Sequence, residues 1–173
     1  PVVKEAIPVV ADTFRRVANV RVRNIATVGG VVAEADYASD PPAVFLALDA
    51  EMVAHGPHGT RTIPAREFFL SFYTTALEPN EIVTAVRVPV PQQGTHAVYE
   101  KFVTRSAEDR PCVGVAAAIR LSADSRTVED VRVAVGAASE IPQRFVDLEQ
   151  KAVGTDLTEG IAREVAALLA RRR

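Results

Sequence analysis

The sequence predicts an α+β fold in two parts, residues 1–90 and 95–173, in which helices accompany antiparallel sheet. Apolar side chains recur at helical spacing near both ends of the chain, which is typical of amphipathic helices. Residues 81–89 alternate with the period of two that is typical of a β-strand. Further alternating segments follow one another after residue 95, and polar turn residues separate them. Consecutive strands joined by short turns favour antiparallel pairing.

The first part opens with a helix, predicted over residues 8–18. Pro8 suits the first helical position because proline has no N–H to lose there. The apolar face of this helix consists of Val10, Phe14 and Val17. Residues 21–40 show no clear period and include a pair of glycines, so a loop is predicted there. A second helix is predicted over residues 41–47, with its prolines confined to the first turn.

Strand patterns then dominate the rest of the first part. Residues 50–64 predict a hairpin that turns at residues 55–59, where glycine and proline are concentrated. The alternating segment at residues 81–89 predicts a further strand. Residues 89–94 are the best candidate for a linker between the two parts, because they combine prolines with a glycine.

The second part is predicted to be a three-stranded antiparallel sheet with helices. The strands are predicted over residues 97–104, 114–121 and 128–136. A short helix near residues 144–152 precedes a final helix, for which Asp156 and Glu159 match the spacing of a capping box. The apolar stripe of the final helix consists of Ile161, Val165, Leu168 and Leu169.

Composition and charge argue against several classes of protein. Hydrophobic residues make up 48% and charged residues 24%, which is typical of a globular protein, and the net charge is −2. The only basic run is Arg171–Arg173, so no nucleic-acid partner is expected. Cys112 is the only cysteine, which excludes an internal disulfide and an all-cysteine metal site and fits a cytoplasmic location. No apolar run approaches the ~20 residues of a membrane helix, so no integral membrane segment is expected.

The glycine pair Gly29-Gly30 is the most informative candidate for chemistry. Backbone without side chains lets N–H groups approach a phosphate or a flavin edge directly. Thr27 adds a hydroxyl that can donate to a phosphate oxygen, and Asp40 can accept from the hydroxyls of a ribityl or ribose chain. By themselves these residues also fit an ordinary tight turn, and the spacing differs from that of the Rossmann phosphate turn.

Other candidate groups favour structural roles. His55 and His58 have a spacing that metal ligands sometimes use, but they lie in the predicted hairpin turn without a cysteine or carboxylate cluster beside them. An exposed turn is therefore the favoured interpretation. Cys112 borders a strand pattern, which predicts a buried structural thiol.

A series of short segments runs through nearly the whole chain. The segments are residues 23–30, 35–42, 46–50, 61–64, 68–69, 75–77, 81–83, 99–102 and 113–117, together with Arg105 and Asp109. In this order they resemble the FAD-binding subunit or domain of the molybdopterin dehydrogenase family, which includes the medium subunit of carbon monoxide dehydrogenase and the middle domain of xanthine dehydrogenase. The resemblance implies that the first part is the second lobe of a two-lobed FAD-binding domain and that the second part is a flavoprotein C-terminal domain.

The resemblance also implies roles for residues of the first part. Thr27, Gly29 and Gly30 match the loop that lies against FAD in this family. Asp40 matches an acidic position that holds the ribityl and flavin side of the cofactor.

Two later residues complete the implied cofactor site. Val83 matches an apolar residue that borders the isoalloxazine ring, and Lys101 matches a lysine near the pyrimidine end of the flavin. An ammonium there stabilises the negative charge that reduction places around N1 and O2. Without the family pattern, Lys101 is as well explained by a surface position on a strand.

The implied function is that of an electron-transfer flavoprotein module in a molybdenum hydroxylase, with FAD as its cofactor. In this family a large subunit hydroxylates the substrate at a molybdopterin cofactor. Electrons then pass through two [2Fe–2S] clusters of a small subunit to FAD and on to an external acceptor. The expected partners are therefore the molybdopterin-binding large subunit and the iron–sulfur small subunit.

The start of the chain adds one expectation and leaves alternatives. Family members carry a further N-terminal lobe with a second glycine-rich loop around the ADP half of FAD, and no such segment precedes Pro8. We therefore expect the isolated chain to bind FAD weakly or not at all. Two alternatives stay open: a non-catalytic scaffold fragment that has lost its flavin, and an unrelated α+β binding domain that mimics the loop by chance.

Overall fold

The computed structural model describes residues 2–171, so Arg172 and Arg173 of the basic run lie outside the described residues. The helices are α1 (Val2–Ala6), α2 (Pro8–Arg16), α3 (Val20–Ile25), α4 (Val28–Glu34), α5 (Asp40–Ala47), α6 (Ala65–Phe68), α7 (Val146–Ala152) and α8 (Glu159–Ala170). The strands are β1 (Glu51–Gly56), β2 (Gly59–Pro64), β3 (Phe69–Ser71), β4 (Thr74–Thr75), β5 (Ile82–Arg87), β6 (Thr95–Phe102), β7 (Val113–Leu121), β8 (Val128–Gly136) and β9 (Gln143–Arg144). The predicted α+β class is confirmed. A bilayer-spanning helix is absent from residues 2–171, where the longest helix, α8, has 12 residues.

The strands pair antiparallel throughout. In the first sheet β1 lies between β2 and β5, and its register with β5 shifts between Val53 and Ala54. Strands β3 and β4 form a separate pair, and β6, β7, β8 and β9 follow one another in a second sheet in chain order. The predicted hairpin and the longer predicted strands are confirmed, with ends that differ by two residues or fewer.

Helix α5 forms the centre of the molecule, since every one of its residues is buried. It packs against β7 and β8, and the buried residues on that face of the two strands are all small. These residues are Gly114, Ala116, Ala118, Ala134 and Gly136. A Cβ atom on Gly136 would lie 3.2 Å from the Cβ atom of Ala43, so the small side chains let the helix approach the sheet closely. Full burial of Phe45 and Val44 stabilises the fold by about 1.5–3 kcal/mol for each side chain.

The opposite face of the second sheet packs under the C-terminal helices. Val128, Val131 and Ala152 are buried there, and Ile161 and Val165 of α8 pack against them. The second sheet thus lies between α5 on one face and α7 and α8 on the other. The apolar stripe predicted for the final helix contributes to this second cluster.

The loop predicted within residues 21–40 is wrong, because helices α3 and α4 occupy most of that stretch. The Asn19 side chain caps α3 by accepting hydrogen bonds from the N–H groups of Arg21 and Val22. No residue of α3 is buried, and α4 buries only Val32 among its residues. Neither helix therefore carries the buried apolar stripe from which periodicity predicts a helix.

Three smaller predictions are also wrong. The second sheet has a fourth strand, β9, whose two residues are too few to show alternation. Helix α8 is capped by Thr158, whose hydroxyl oxygen accepts from the N–H of Ile161, in place of the capping box predicted at Asp156 and Glu159. Cys112 is exposed, because it lies in the connection before β7 and not within the strand.

Candidate functional site

A cleft of about 480 Å³ lies between helices α3 and α4 and the segment of residues 105–110, of which residues 108–110 line the cleft. Its apolar wall includes Val17, Val22, Ile25 and Val31. Its polar lining includes Thr27, Glu34, Asp36, Asp40, Asp109 and Arg110. The cleft therefore draws polar groups from two stretches of the chain that are distant in sequence.

Thr27 and Gly30 lie at the start of α4, not in a glycine-rich loop. The Thr27 hydroxyl oxygen accepts a hydrogen bond of 2.9 Å from the N–H of Gly30, and so caps the helix. The hydroxyl keeps its own hydrogen, which remains able to donate to a ligand. Both residues line the cleft. The predicted loop is wrong for these residues, because they form the first turn of a helix.

Gly29 and Val83 contact each other rather than the cleft. A Cβ atom on Gly29 would lie 3.1 Å from the carbonyl oxygen of Val83 on β5. Val83 is half-buried and packs against the main hydrophobic core. The missing side chain of Gly29 therefore lets α4 lie close to β5, and neither residue lines the cleft.

Asp40 lies in the first turn of α5 and also lines the cleft, although it is only 4% exposed. Its Oδ1 accepts a hydrogen bond of 2.6 Å from the hydroxyl of Tyr99, and its Oδ2 lies 3.4 Å from Nζ of Lys101. Burial raises the pKa of Asp40, while the hydrogen bond from Tyr99 and the charge of Lys101 oppose that rise. The carboxylate is thus buried but paired on both oxygens.

Lys101 lies on β6, and its side chain is only 6% exposed. Its ammonium donates to the carbonyl oxygen of Arg16 at 2.7 Å, to the carbonyl oxygen of Asp109 at 3.2 Å and to Asp40. An ammonium has three N–H groups, so these contacts use all of them. Lys101 is therefore not the surface residue of the alternative interpretation, and it joins three segments at the cleft.

Asp36 and Arg110 form a second ion pair at the cleft. A guanidinium nitrogen of Arg110 lies 2.9 Å from Oδ2 of the buried Asp36. The hydroxyl of Tyr73 lies 3.5 Å from Oδ1 of the same carboxylate. The charge of Asp36 raises the pKa of Arg110 above its ordinary value. The pair ties the segment of residues 105–110 to the chain just beyond α4.

The sequence did not single out Tyr99, whose hydroxyl bonds to Asp40. A usable signal was present, because Tyr99 and Lys101 are two positions apart on one strand and therefore share a face. The partners of Lys101 at Arg16 and Asp109 are carbonyl oxygens, and no side-chain pattern reports on those.

The cleft can hold a ligand that has an apolar part and a part rich in hydroxyl or phosphate groups. Its valine and isoleucine side chains remove apolar surface from water. Thr27 can donate, and the free lone pairs of the Asp40 carboxylate can accept. Within residues 2–171 no group of three or more histidine, cysteine, aspartate or glutamate side chains is placed to hold a metal ion.

Comparison with known protein families finds two matches along the chain. Residues 1–91 match the family described as the FAD binding domain in molybdopterin dehydrogenase. Residues 97–172 match the CO dehydrogenase flavoprotein C-terminal domain.

Individual relatives are similar over much of the chain. The glyceraldehyde dehydrogenase medium chain of Sulfolobus acidocaldarius is 34% identical over 96% of this chain and 58% of its own length. The carbon monoxide dehydrogenase medium chain of Hydrogenophaga pseudoflava is 39% identical over 78% of this chain and 46% of its own length. The chain thus matches about half of the length of these relatives.

Solved structures show the same fold. Carbon monoxide dehydrogenase from Hydrogenophaga pseudoflava, in a form that lacks the Mo-pyranopterin moiety, matches 100% of this chain and 60% of its own chain, with a TM-score of 0.93 and 34% identity. Quinoline 2-oxidoreductase from Pseudomonas putida 86 matches 99% of this chain and 58% of its own, with a TM-score of 0.90 and 27% identity.

Proposed function

Because this chain belongs to the FAD-binding family of the molybdopterin dehydrogenases, we propose that it is an oxidoreductase component that holds FAD and transfers electrons in a molybdenum hydroxylase. The proposal rests on one observation, that Thr27, Gly30 and Asp40 line the same cleft. Lys101 bonds to Asp40 at the edge of this cleft. When bound, FAD supplies the redox chemistry, whereas the protein binds it, orients it and sets its electrostatic surroundings.

The residues of the cleft fit such a cofactor. Gly30 leaves the lining open beside Thr27, since a Cβ atom there would lie 3.0 Å from the threonine hydroxyl oxygen. The apolar wall provides a surface for a flat ring system, and the polar residues provide partners for hydroxyl and phosphate groups. A volume of about 480 Å³ lies within the ordinary range of ligand sites.

We assign the six candidate residues to two kinds of role. Thr27, Gly30 and Asp40 contact the cofactor directly, because they line the cleft. Gly29 and Val83 act indirectly by keeping α4 close to β5.

Lys101 acts through its positive charge, which balances Asp40 at the edge of the cleft. Because its three N–H groups already have protein acceptors, the ammonium contributes electrostatically and not as a donor to the flavin.

The proposed partners are a molybdopterin-binding large subunit and an iron–sulfur small subunit. Relatives of this chain include medium chains of glyceraldehyde dehydrogenase and carbon monoxide dehydrogenase. The cofactors of the expected partners have no ligand set among residues 2–171, which hold no metal-binding cluster. We propose that electrons reach the FAD of this component from the iron–sulfur clusters of the small subunit.

The test is FAD binding by the natural polypeptide that contains this chain, followed by quenching of flavin fluorescence. The variant Thr27→Val removes the hydroxyl that faces the cleft, and we expect its affinity for FAD to fall about tenfold, which corresponds to ~1.4 kcal/mol. Thr27→Ser keeps the hydroxyl and is expected to bind like the wild type.

A matched control separates cofactor contact from helix capping. Thr158→Val removes the same capping hydroxyl from α8, on the other face of the second sheet, and should leave FAD affinity unchanged. A natural polypeptide that takes up no FAD contradicts the proposed function. If that polypeptide still assembles with its partner subunits, the scaffold alternative is supported.

A further inference from the structure

Tyr99 reaches Asp40 by crossing the neighbouring strand at Gly114. In the register of β6 and β7, Lys101 pairs with Gly114 and Tyr99 pairs with Ala116. A Cβ atom on Gly114 would lie 2.3 Å from the hydroxyl oxygen of Tyr99 and 3.0 Å from two ring carbons. The backbone of Gly114 does not adopt a positive φ, so it is the missing side chain, and not the conformation, that the ring requires.

The hydroxyl of Tyr99 is the nearest partner of Asp40. Its distance of 2.6 Å to Oδ1 is typical of a hydroxyl that donates to a carboxylate, whereas Nζ of Lys101 lies 3.4 Å from Oδ2. Burial and the charge of Asp40 raise the pKa of Tyr99 far above its ordinary range, so the hydroxyl remains a donor. The short hydrogen bond from Tyr99 therefore fixes the orientation of the Asp40 carboxylate.

The orientation of Asp40 extends to the segment of residues 105–110. Lys101 bonds to Asp40 and also to the carbonyl oxygen of Asp109, which lies in that segment and lines the cleft. The same ammonium bonds to the carbonyl oxygen of Arg16, where α2 ends beside the opposite wall. One ammonium thus connects both sides of the cleft, and its position depends on the carboxylate that Tyr99 holds.

We infer that Tyr99, seated in the space over Gly114, is a positioning residue that orients Asp40 and through Lys101 holds residues 105–110 as one wall of the cleft. The part of this inference that concerns the cofactor rests on the proposed function. The part that concerns the wall does not require FAD.

Hydrogen exchange tests the wall without the cofactor. Tyr99→Phe keeps the ring and removes the donor, and we expect the amides of residues 105–110 to exchange at least about fivefold faster, corresponding to ~1 kcal/mol of lost local stability. Tyr37→Phe is the control, because it removes a hydroxyl from a half-exposed ring. Unchanged exchange of residues 105–110 in Tyr99→Phe overturns the inference.

The pH dependence of FAD affinity tests the orientation of Asp40 in the natural polypeptide. Without the hydrogen bond from Tyr99, the carboxylate binds a proton more readily, because that bond favours its charged form. The acid limb of the FAD affinity profile should therefore move to higher pH in Tyr99→Phe, and it should stay in place in Tyr37→Phe. A purely structural loss lowers affinity at every pH without moving the limb, and that result overturns the positioning of Asp40.

A second variant approaches the same contact from the other strand. Gly114→Ala displaces the Tyr99 ring and should reproduce both effects, whereas Gly160→Ala adds a methyl group at an ordinary distance of 3.6 Å from Thr158 and should produce neither. If Gly114→Ala does not fold, the exchange and pH measurements on Tyr99→Phe alone test the inference. If the wild type takes up no FAD, the proposed function fails, and exchange of residues 105–110 still supports or overturns the role of Tyr99 in holding the wall.

Discussion

At the scale of single residues, the candidate site pairs two buried carboxylates with cations. Asp40 faces Lys101, and Asp36 faces Arg110, each within 3.4 Å. A carboxylate that is removed from water without a partner loses several kcal/mol of solvation, so such groups persist in a protein only when they are paired. The pairs lie on segments that are distant in sequence, and they therefore hold the cleft together as well as line it.

Glu81 gives a pH-dependent prediction at the same scale. Arg61 donates two hydrogen bonds of 2.7 Å to Glu81, and the N–H of Glu78 donates a third. These bonds lower the pKa of Glu81 to about 2, and the bonds from Arg61 have the largest effect. Since its folded-state pKa lies below its unfolded value, the stabilisation is fully present above about pH 4.5 and is lost as the pH falls through about 2.

We therefore expect Glu81→Gln to lower the free energy of unfolding near neutral pH and to match the wild type near pH 2. Urea unfolding at a series of pH values measures this difference. Glu67→Gln removes one member of an exposed ion pair with Arg66 and should change little at neutral pH. A wild-type advantage over Glu81→Gln that is as large near pH 2 as at pH 7 contradicts the prediction.

At the scale of elements, helix α5 and the sheet face beneath it depend on small residues. The buried positions of β7 and β8 under α5 carry only glycine and alanine, and every residue of this helix is buried. Close packing of this kind tolerates added volume poorly, because the surrounding side chains cannot move aside.

Gly136→Ala tests the contact between α5 and β8. The added Cβ atom would lie 3.2 Å from that of Ala43, and α5 is buried on all sides, so we expect a loss of about 1–2 kcal/mol in the free energy of unfolding. Gly160→Ala in α8 is the control and should be neutral or stabilising, since alanine favours helix over glycine. Chemical denaturation measures both variants, and a stability for Gly136→Ala equal to that of the wild type means that α5 has room to shift.

At the scale of the whole molecule, one hydrophobic core crosses the predicted boundary between the two parts. Residues of α5 and β1 from the first part share this core with Tyr99, Ala116 and Ala134 from the second. The division into residues 1–90 and 95–173 remains a prediction, and the shared core makes each part dependent on the other for burial.

Calorimetry of the chain can test this dependence. We expect a single unfolding transition in which the calorimetric and van't Hoff enthalpies agree, because neither part can expose α5 without losing its core. The separate fragment of residues 1–91 is expected to show no cooperative transition. Two well-separated transitions in the whole chain, or a cooperatively folded fragment, would show that the parts are independent.

The sequence by itself determined the α+β class, the long strands and the helix at residues 41–47, and its family resemblance pointed to Asp40 and Lys101. Periodicity predicts the long strands because each of them alternates between more buried and more exposed positions, and the alternation is recorded in neighbouring residues. It missed α3 and α4, which bury almost nothing.

Only the tertiary structure decided what the candidate residues contact. Thr27 and Gly30 proved to be a helix start, Gly29 and Val83 proved to contact each other, and Tyr99 proved to hold Asp40 from 59 positions away. The physical reason is that a local pattern reports whether a side chain is buried, whereas its partner depends on how distant strands and helices are registered against one another. The carbonyl oxygens that hold Lys101 leave no trace in the sequence at all, because every residue carries one.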